Sequence, residues 1–166
     1  MDQMEFSEGG EEALVAAIRQ YGQGLLRYCH HILCDYHEAQ DAVQITFCKA
    51  WERRTRCRTG ALPAWLYRMA YPTCVDILRQ RKRWRPLPPA PEDTDYIGPE
   101  LRAALEALSP EERGLVFGRV MEGRSYEELS GIYGKSAATL RKRYERARKK
   151  LARLLTQEQA EERKAT

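Results

Sequence analysis

The residues with the most chemistry available to them lie between Ser125 and Lys150, in the run SYEELSGIYGKSAATLRKRYERARKK. Arg141, Lys142, Arg143, Arg146, Arg148, Lys149 and Lys150 crowd its second half, behind Lys135, Ser136, Ala137 and Ala138. Cations at this density suit the neutralisation of a polyanion, and small residues at the start of a helix let its backbone come close to base edges. A short helix, a turn holding Gly134 and a longer cationic helix make the helix-turn-helix layout, whose second helix enters the major groove. Lys135, Ser136, Ala137, Ala138 and Arg141 would then lie nearest the bases, and the later cations would meet phosphates. Leu129, Ile132, Leu140 and Tyr144 would be the packing positions. The plainer alternative is a helical hairpin with a solvated charged exterior.

Other chemistry has less support. In YCHHILCDYH, His30, Cys34 and His37 fall at i, i+4 and i+7. Zinc needs about four ligands at close range, and a helix end near Cys34 would part these residues, so no metal and no other cofactor is expected. Catalysis is not expected either. There is no Gly-rich phosphate loop and no Ser-His-Asp arrangement, and the three histidines are confined to residues 30–37. Cys29 and Cys48 read as small buried apolar residues. Cys57, in an Arg-rich stretch, reads as a thiol of lowered pKa. Five cysteines without a CxxC fit a reducing compartment. No run of eighteen apolar residues is present, and the acidic start MDQMEFSEGGEEA has no apolar signal core, so a cytoplasmic location is expected.

These groups must be positioned by helices, because alternating β-branched runs are missing. Leu14, Ala17, Ile18, Tyr21, Leu25, Tyr28 and Ile32 mark a first helix ending near Leu33. Ala39, Val43, Phe47 and Trp51 mark a second, from about His37 to Arg54. RTRCRTGALP, residues 54–63, reads as a loop. AWLYRMAYPTCVDILRQRKRW, residues 64–84, is amphipathic and ends in cations, but Pro72 in its middle removes a donor and crowds the carbonyl of Arg68, which predicts a kink. RPLPPAPEDTDYIGP is Pro-rich and acidic and reads as a stiff linker. Beyond it, Pro99 opens a helix to Ala107 or Leu108. Ser109-Pro110-Glu111-Glu112 starts another, closed by Gly123, with Leu115, Val116, Phe117 and Val120 on its apolar side. Ser125 and Glu128 stand at capping-box spacing. Ser136 caps a last helix from Ala137 to Leu155, and the EQAEERKAT tail either frays or extends it. The expected fold is all-α: a unit over 1–84, a linker over 85–99, a helix-turn-helix unit over 100–155 and a charged tail over 156–166. The chain's +4 charge is unevenly spread. Residues 101–155 hold thirteen Lys/Arg against seven Asp/Glu, whereas residues 84–100 hold one against four.

LSPEERGLVFGRVMEGRSYEELSGIYGKSAATLRKRYERARKKL resembles region 4 of a bacterial RNA polymerase sigma factor of the extracytoplasmic-function (ECF) class. Independently, YHEAQDAVQITFCKAWERR resembles the region 2.2 signature, and AWLYRMAYPTCVDILRQRKR resembles that of regions 2.3–2.4. Two motif sets in the family's order are far more specific than a lone helix-turn-helix.

The resemblance implies partners: core RNA polymerase (its β′ clamp and β flap), promoter DNA and an anti-sigma factor. It assigns polymerase contacts to Asp41, Gln44, Ile45, Thr46 and Phe47. Phe47, with Val43, also has the spacing of a core residue, and Ile45 stands where the family has Glu. It implies −10 element contacts from Arg54, Arg56, Arg58, Trp65, Tyr67, Arg68, Asp76, Arg79 and Arg83, with Arg53, Arg81, Lys82 and Arg85 nearby and Trp65 also readable as core. It places −35 element contacts at Lys135, Ser136, Ala137, Thr139, Arg141, Lys142, Arg143, Arg146 and Arg148. Asp76 and Arg79 are at pairing distance, i and i+3. The family's Asn is Pro72 here. Two other readings stand beside this one: a helix-turn-helix regulator that never engages polymerase, and a small zinc or redox sensor.

Overall fold

The computed structural model describes residues 3–57, 62–84 and 97–165, with the side chains of 3–5, 82–84 and 158 excepted. Among the described residues there are helices and no strands. They are α1 (Gln3–Glu8), α2 (Glu11–Leu33), α3 (Tyr36–Glu52), a 3-10 turn (Arg54–Arg56), α4 (Leu62–Trp84), α5 (Pro99–Glu106), α6 (Pro110–Val120), α7 (Tyr126–Tyr133) and α8 (Ala137–Ala165). Arg58, Lys82, Arg83 and Arg85 as DNA contacts, and most of the acidic linker, lie outside what is described.

The helix boundaries follow local chemistry. Glu11 and Glu12 sit at the positive end of α2, and Cys34 ends it in the left-handed region (φ 56°), its N–H donating to the carbonyl of His30 at 2.7 Å. Asp35 then caps α3, its carboxylate accepting from the N–H of Glu38 at 2.9 Å. His30 and His37 therefore fall on different helices, with Cys34 at the turn between them. Ser109 with Glu112, and Ser125 with Glu128, form reciprocal capping boxes at the starts of α6 and α7. Gly134 (φ 67°) closes α7 in a conformation that disfavours side chains with a Cβ.

Two features differ from the sequence reading, and the tail takes one of the two courses left open for it. α1 was not expected: its Phe6 is fully buried and meets Trp65 edge-on at 6.4 Å, so six residues are held by tertiary packing. α8 runs on to Ala165, ten residues past Leu155, and its 29 residues reach about 43 Å. α4 stays helical through Pro72. Pro72 is exposed, and one step on, Thr73 donates its hydroxyl to the carbonyl of Met69 (2.9 Å) while accepting from Lys49 Nζ (3.2 Å). Because the proline removes the donor that would satisfy the Arg68 carbonyl, Pro72→Ala should raise stability by about 1–3 kcal/mol. Chemical denaturation of the two proteins checks this.

α1–α4 form an N-terminal unit and α5–α8 a C-terminal unit. α2 packs on α3, α4 and α6; α4 packs on α3 and α7; α8 packs on α5, α6 and α7. One buried cluster therefore runs through both units, from Leu25, Tyr28, Leu66 and Ala70 to Leu115, Phe117, Leu129, Ile132 and Leu140. A smaller one joins Cys34 to Ile97, Leu105, Leu108 and Ala147. Val120, expected on the apolar side of α6, is 61% exposed because it falls in the last turn, beyond the helices that cover Leu115 and Phe117.

Candidate nucleic-acid interface

The cationic helix α8 packs through Leu140 and Ala147, which lie about two turns apart on its inner face and are fully buried. That leaves Arg141, Lys142, Arg146, Arg148 and Lys149 exposed. Ser136 sits outside the first turn, its Oγ accepting from the N–H of Thr139 (3.2 Å) and hydrogen-bonded to Thr139 Oγ1 (2.8 Å), so it caps the helix. Arg141 lies 5.1 Å from the centre of the Tyr126 ring, which also meets the guanidinium of Arg119 at 4.3 Å and the Tyr144 ring edge-on at 6.2 Å. The aromatic platform at the start of α7 thus holds Arg141 near the helix N-terminal end, where a major-groove contact would be made.

Two of the expected contacts are tied inward. Lys135 Nζ and Arg143 Nη1 both pair with the carboxylate of Glu111 on α6. Lys150 Nζ donates to the carbonyl of Ala107 at 2.7 Å and caps the end of α5. Burial pushes the Glu111 carboxyl up, but the hydrogen bonds and charges of Lys135 and Arg143 outweigh it and hold the group below its usual 4.5. A carboxylate depressed on folding stabilises the protein above its ordinary pKa and loses that contribution as pH falls through the lower folded value. Glu111→Gln should therefore lower the melting temperature at neutral pH by about 2–4 °C and flatten the loss of stability below about pH 4.5. Thermal melts between pH 7 and 3 read both effects.

The second candidate surface lies on the N-terminal unit. Lys49, Arg53, Arg56, Trp65, Arg68, Met69 and Pro72 line an open cleft of about 370 Å³ between α3, the 3-10 turn and α4. Four cations, an aromatic ring and a thioether at one opening suit a single strand, whose backbone needs positive charge and whose bases need a flat apolar contact. Arg56 is exposed, and Trp65 is half-buried between the cleft and Phe6. Arg54 turns away from it, stacked over Trp51 at 4.0 Å with its Nη1 donating to that residue's carbonyl at 2.9 Å. Further along α4, Asp76 and Arg79 are both exposed and pair loosely at 3.8 Å. Lys49 and Met69 were missed in sequence; Lys49 stands one helical turn before Arg53, which is the signal that would have found it.

Several of the expected contact residues also hold the fold together in this form. Tyr67 is 3% exposed, with its hydroxyl donating to Glu122 Oε2 at 2.6 Å. Arg68 is exposed but spends its Nε on the carbonyl of Gly131 (2.8 Å). Arg81 pairs with Glu38 and donates to the carbonyl of Leu33 at 2.8 Å, closing the α2–α3 turn. On α3, Asp41, Gln44 and Ile45 share an exposed stripe, with Ile45 40% exposed, whereas Thr46 and Phe47 face the core. Thr46 is fully buried and donates to the carbonyl of Ala42 at 2.7 Å. Cys48 joins the exposed stripe rather than the core. Cys57 is buried, and burial raises its pKa, the reverse of a reactive thiol.

Comparison with known proteins matches two family models, "Sigma-70 region 2" over residues 17–84 and "Sigma-70, region 4" over residues 99–151. The ECF RNA polymerase sigma factor EcfG of Rhodopseudomonas palustris is 31% identical, the alignment covering 75% of each chain. The ECF RNA polymerase sigma factor SigE of Mycolicibacterium smegmatis is 28% identical over 94% of this chain and 68% of its own length. For SigG of Mycobacterium tuberculosis the figures are 29%, 79% and 45%, so this chain spans less than half of that relative. Among solved structures, the sigma factor RpoE in complex with the anti-sigma factor NepR from Bartonella quintana aligns with a TM-score of 0.68 at 24% identity, over 85% of this chain and 95% of RpoE. CnrH in complex with the cytosolic domain of CnrY aligns with a TM-score of 0.71 at 21% identity, over 93% and 94%. These two establish likeness of fold.

Proposed function

Since this chain belongs to the extracytoplasmic-function class of the sigma-70 family of bacterial RNA polymerase sigma factors, we propose that it docks on core polymerase, carries it to a promoter and helps open the duplex there. The observation that carries the details is the presence, on one chain, of two cationic surfaces of different character. α8 presents Arg141, Lys142, Arg146 and Arg148 on a convex helix face, which suits the major groove of a −35 element. The α3–α4 cleft pairs Lys49, Arg53, Arg56 and Arg68 with Trp65, which suits an unpaired −10 strand. A regulator that only binds duplex needs the first and has no use for the second.

In this reading Asp41, Gln44 and Ile45 form the polymerase stripe of α3, with Cys48 beside them. Ile45 offers the clamp an apolar contact in place of the carboxylate its family carries. Thr46 and Phe47 act from behind by fixing the helix. RpoE and CnrH are each seen with a partner protein, and an anti-sigma factor is the corresponding partner here. No described helix is long and apolar enough to cross a membrane, and the work assigned is done beside polymerase in the cytoplasm. The reading calls for no cofactor and assigns no residue to catalysis.

Transcription in vitro with core polymerase tests it. The purified protein should confer promoter-dependent starts that core alone does not make. A protein that neither binds core nor directs starts at any promoter would refute the proposal.

A further inference from the structure

Pro72 interrupts the hydrogen-bond ladder of α4 on the wall of the α3–α4 cleft. Trp65, Arg68, Met69 and Pro72 fall at i, i+3, i+4 and i+7, so they form one stripe of the helix, and all four line the cleft. In a continuous helix the carbonyl of residue 68 accepts from the N–H of residue 72, a bond that runs along this stripe. Proline has no N–H, so the Arg68 carbonyl has no donor from its own ladder. The nearest side-chain donors are engaged elsewhere. The Thr73 hydroxyl donates to the carbonyl of Met69 at 2.9 Å, Lys49 Nζ to Thr73 Oγ1 at 3.2 Å, and Arg68 Nε to the carbonyl of Gly131 at 2.8 Å.

The rest of the cleft offers donors. Lys49, Arg53, Arg56 and Arg68 present only N–H groups, the indole of Trp65 is a donor too, and the Met69 thioether accepts weakly. Backbone acceptors of the facing wall are taken. The carbonyls of Lys49 and Trp51 receive the N–H of Arg53, and that of Trp51 also receives Arg54 Nη1 at 2.9 Å. Those of Arg53 and Arg54 receive the N–H groups of Arg56 (2.9 Å) and Cys57 (3.1 Å). Among the described residues that line the cleft, the Arg68 carbonyl is thus the strong acceptor left for a bound group.

Many donors around one acceptor make a selective surface. Cations accept any phosphate or base oxygen as partner, so they discriminate little. A carbonyl requires a hydrogen at the rim of the base. Adenine, cytosine and guanine each carry an exocyclic amino group that supplies one. Thymine and uracil present oxygens at the rim, which a carbonyl repels, and their ring N–H is set back between them.

We propose that the Arg68 carbonyl, released by Pro72, is a base-reading acceptor in the cleft, and that it selects a strand base bearing an exocyclic amino group against thymine. This rests on the cleft being the single-strand site. Pro72 then sets specificity through the backbone: it contributes no polar group of its own and acts by withholding one. Pro72→Ala returns the N–H, closes the ladder and removes the acceptor, and its expected gain in stability keeps it folded.

The full-length protein, Pro72→Ala and Arg56→Gln are titrated with fluorescent single-stranded oligodeoxycytidine and oligodeoxyuridine of equal length. These strands differ at each base by an amino group against an oxygen, with the accompanying ring proton. Wild type should bind the cytosine strand roughly fivefold more tightly, the worth of about one hydrogen bond. Pro72→Ala should bind the two alike, because any loss of contact with the proline ring weakens both equally. Arg56→Gln should weaken both and keep the preference, since a phosphate contact carries no base information. Equal binding of the two strands by wild type, or a preference that survives in Pro72→Ala, overturns the carbonyl as reader. If that happens while Arg56→Gln still weakens both strands, the cleft stands as the strand site and only the reader fails. If wild type binds neither strand, or Arg56→Gln changes nothing, the cleft assignment fails and the reader fails with it.

Discussion

Replacing Arg113 by methionine is expected to cost about 3–5 kcal/mol of folding stability, the largest effect of any single substitution considered for this protein. Arg113 is 8% exposed and is held by backbone carbonyls. Its Nε donates to Leu105 (2.6 Å) and Leu108 (3.2 Å), its Nη2 to Glu106 (3.3 Å) and its Nη1 to Ile32 (2.5 Å). These carbonyls sit at the C-terminal ends of α5 and α2, where helices leave acceptors without intrahelical donors and carry partial negative charge. Burial lowers the pKa of the guanidinium, yet the group stays charged because arginine starts so high. Methionine fills much of the same volume but leaves several buried acceptors unsatisfied. Arg113→Lys should recover only a small part, since one ammonium cannot span carbonyls arranged around a planar fork. Urea denaturation of the three proteins measures it. A methionine variant within 1 kcal/mol of wild type would show that water can replace the guanidinium at these helix ends.

Arg141→Ala carries the largest expected functional effect. Arg141 is exposed, near the start of α8, and braced against Tyr126. If it reads a base by two hydrogen bonds, its loss should weaken binding to the preferred −35 duplex by about 1–3 kcal/mol, roughly 5- to 150-fold. Binding to random duplex should change little, and the salt dependence should stay near that of wild type. Fluorescence titrations at two salt concentrations separate the outcomes. Equal loss on both duplexes, with a shallower salt slope, would make Arg141 a phosphate contact instead. Lys135 and Arg143 make a useful contrast. Both are committed to Glu111, so neutralising either should disturb stability along with DNA affinity.

Much of this protein was legible in its sequence, and the reason is that local chemistry decides local structure. Ser109, Ser125, Asp35 and Gly134 mark helix ends because capping and left-handed turns depend on residues within one turn of each other. Periodic apolar residues marked α2, α3, α6, α7 and α8, and the cation run marked the exposed charged face of α8. Where the reading missed, the deciding partner lay far along the chain. α1 is held by Phe6 against Trp65. Pro72 sits inside a continuous helix whose neighbouring Thr73 is tied to Lys49. Thr46 carries a hydroxyl, which reads as a surface contact until Ala42 is seen to accept from it in the core.

By itself, then, the order of residues determined an all-helical chain of two units and the chemical character of their surfaces, because each of these rests on patterns that repeat within a few residues. Only the tertiary structure decided which charges are available. Glu111 takes Lys135 and Arg143 across separations of 24 and 32 residues, and Glu122 takes Tyr67 across 55. It also decided that the two units share one core, through a pair of tyrosine hydroxyls 105 residues apart. A cation or a hydroxyl is the same letter whether it faces solvent or a partner, and its freedom to meet DNA depends on which distant group the fold brings to it.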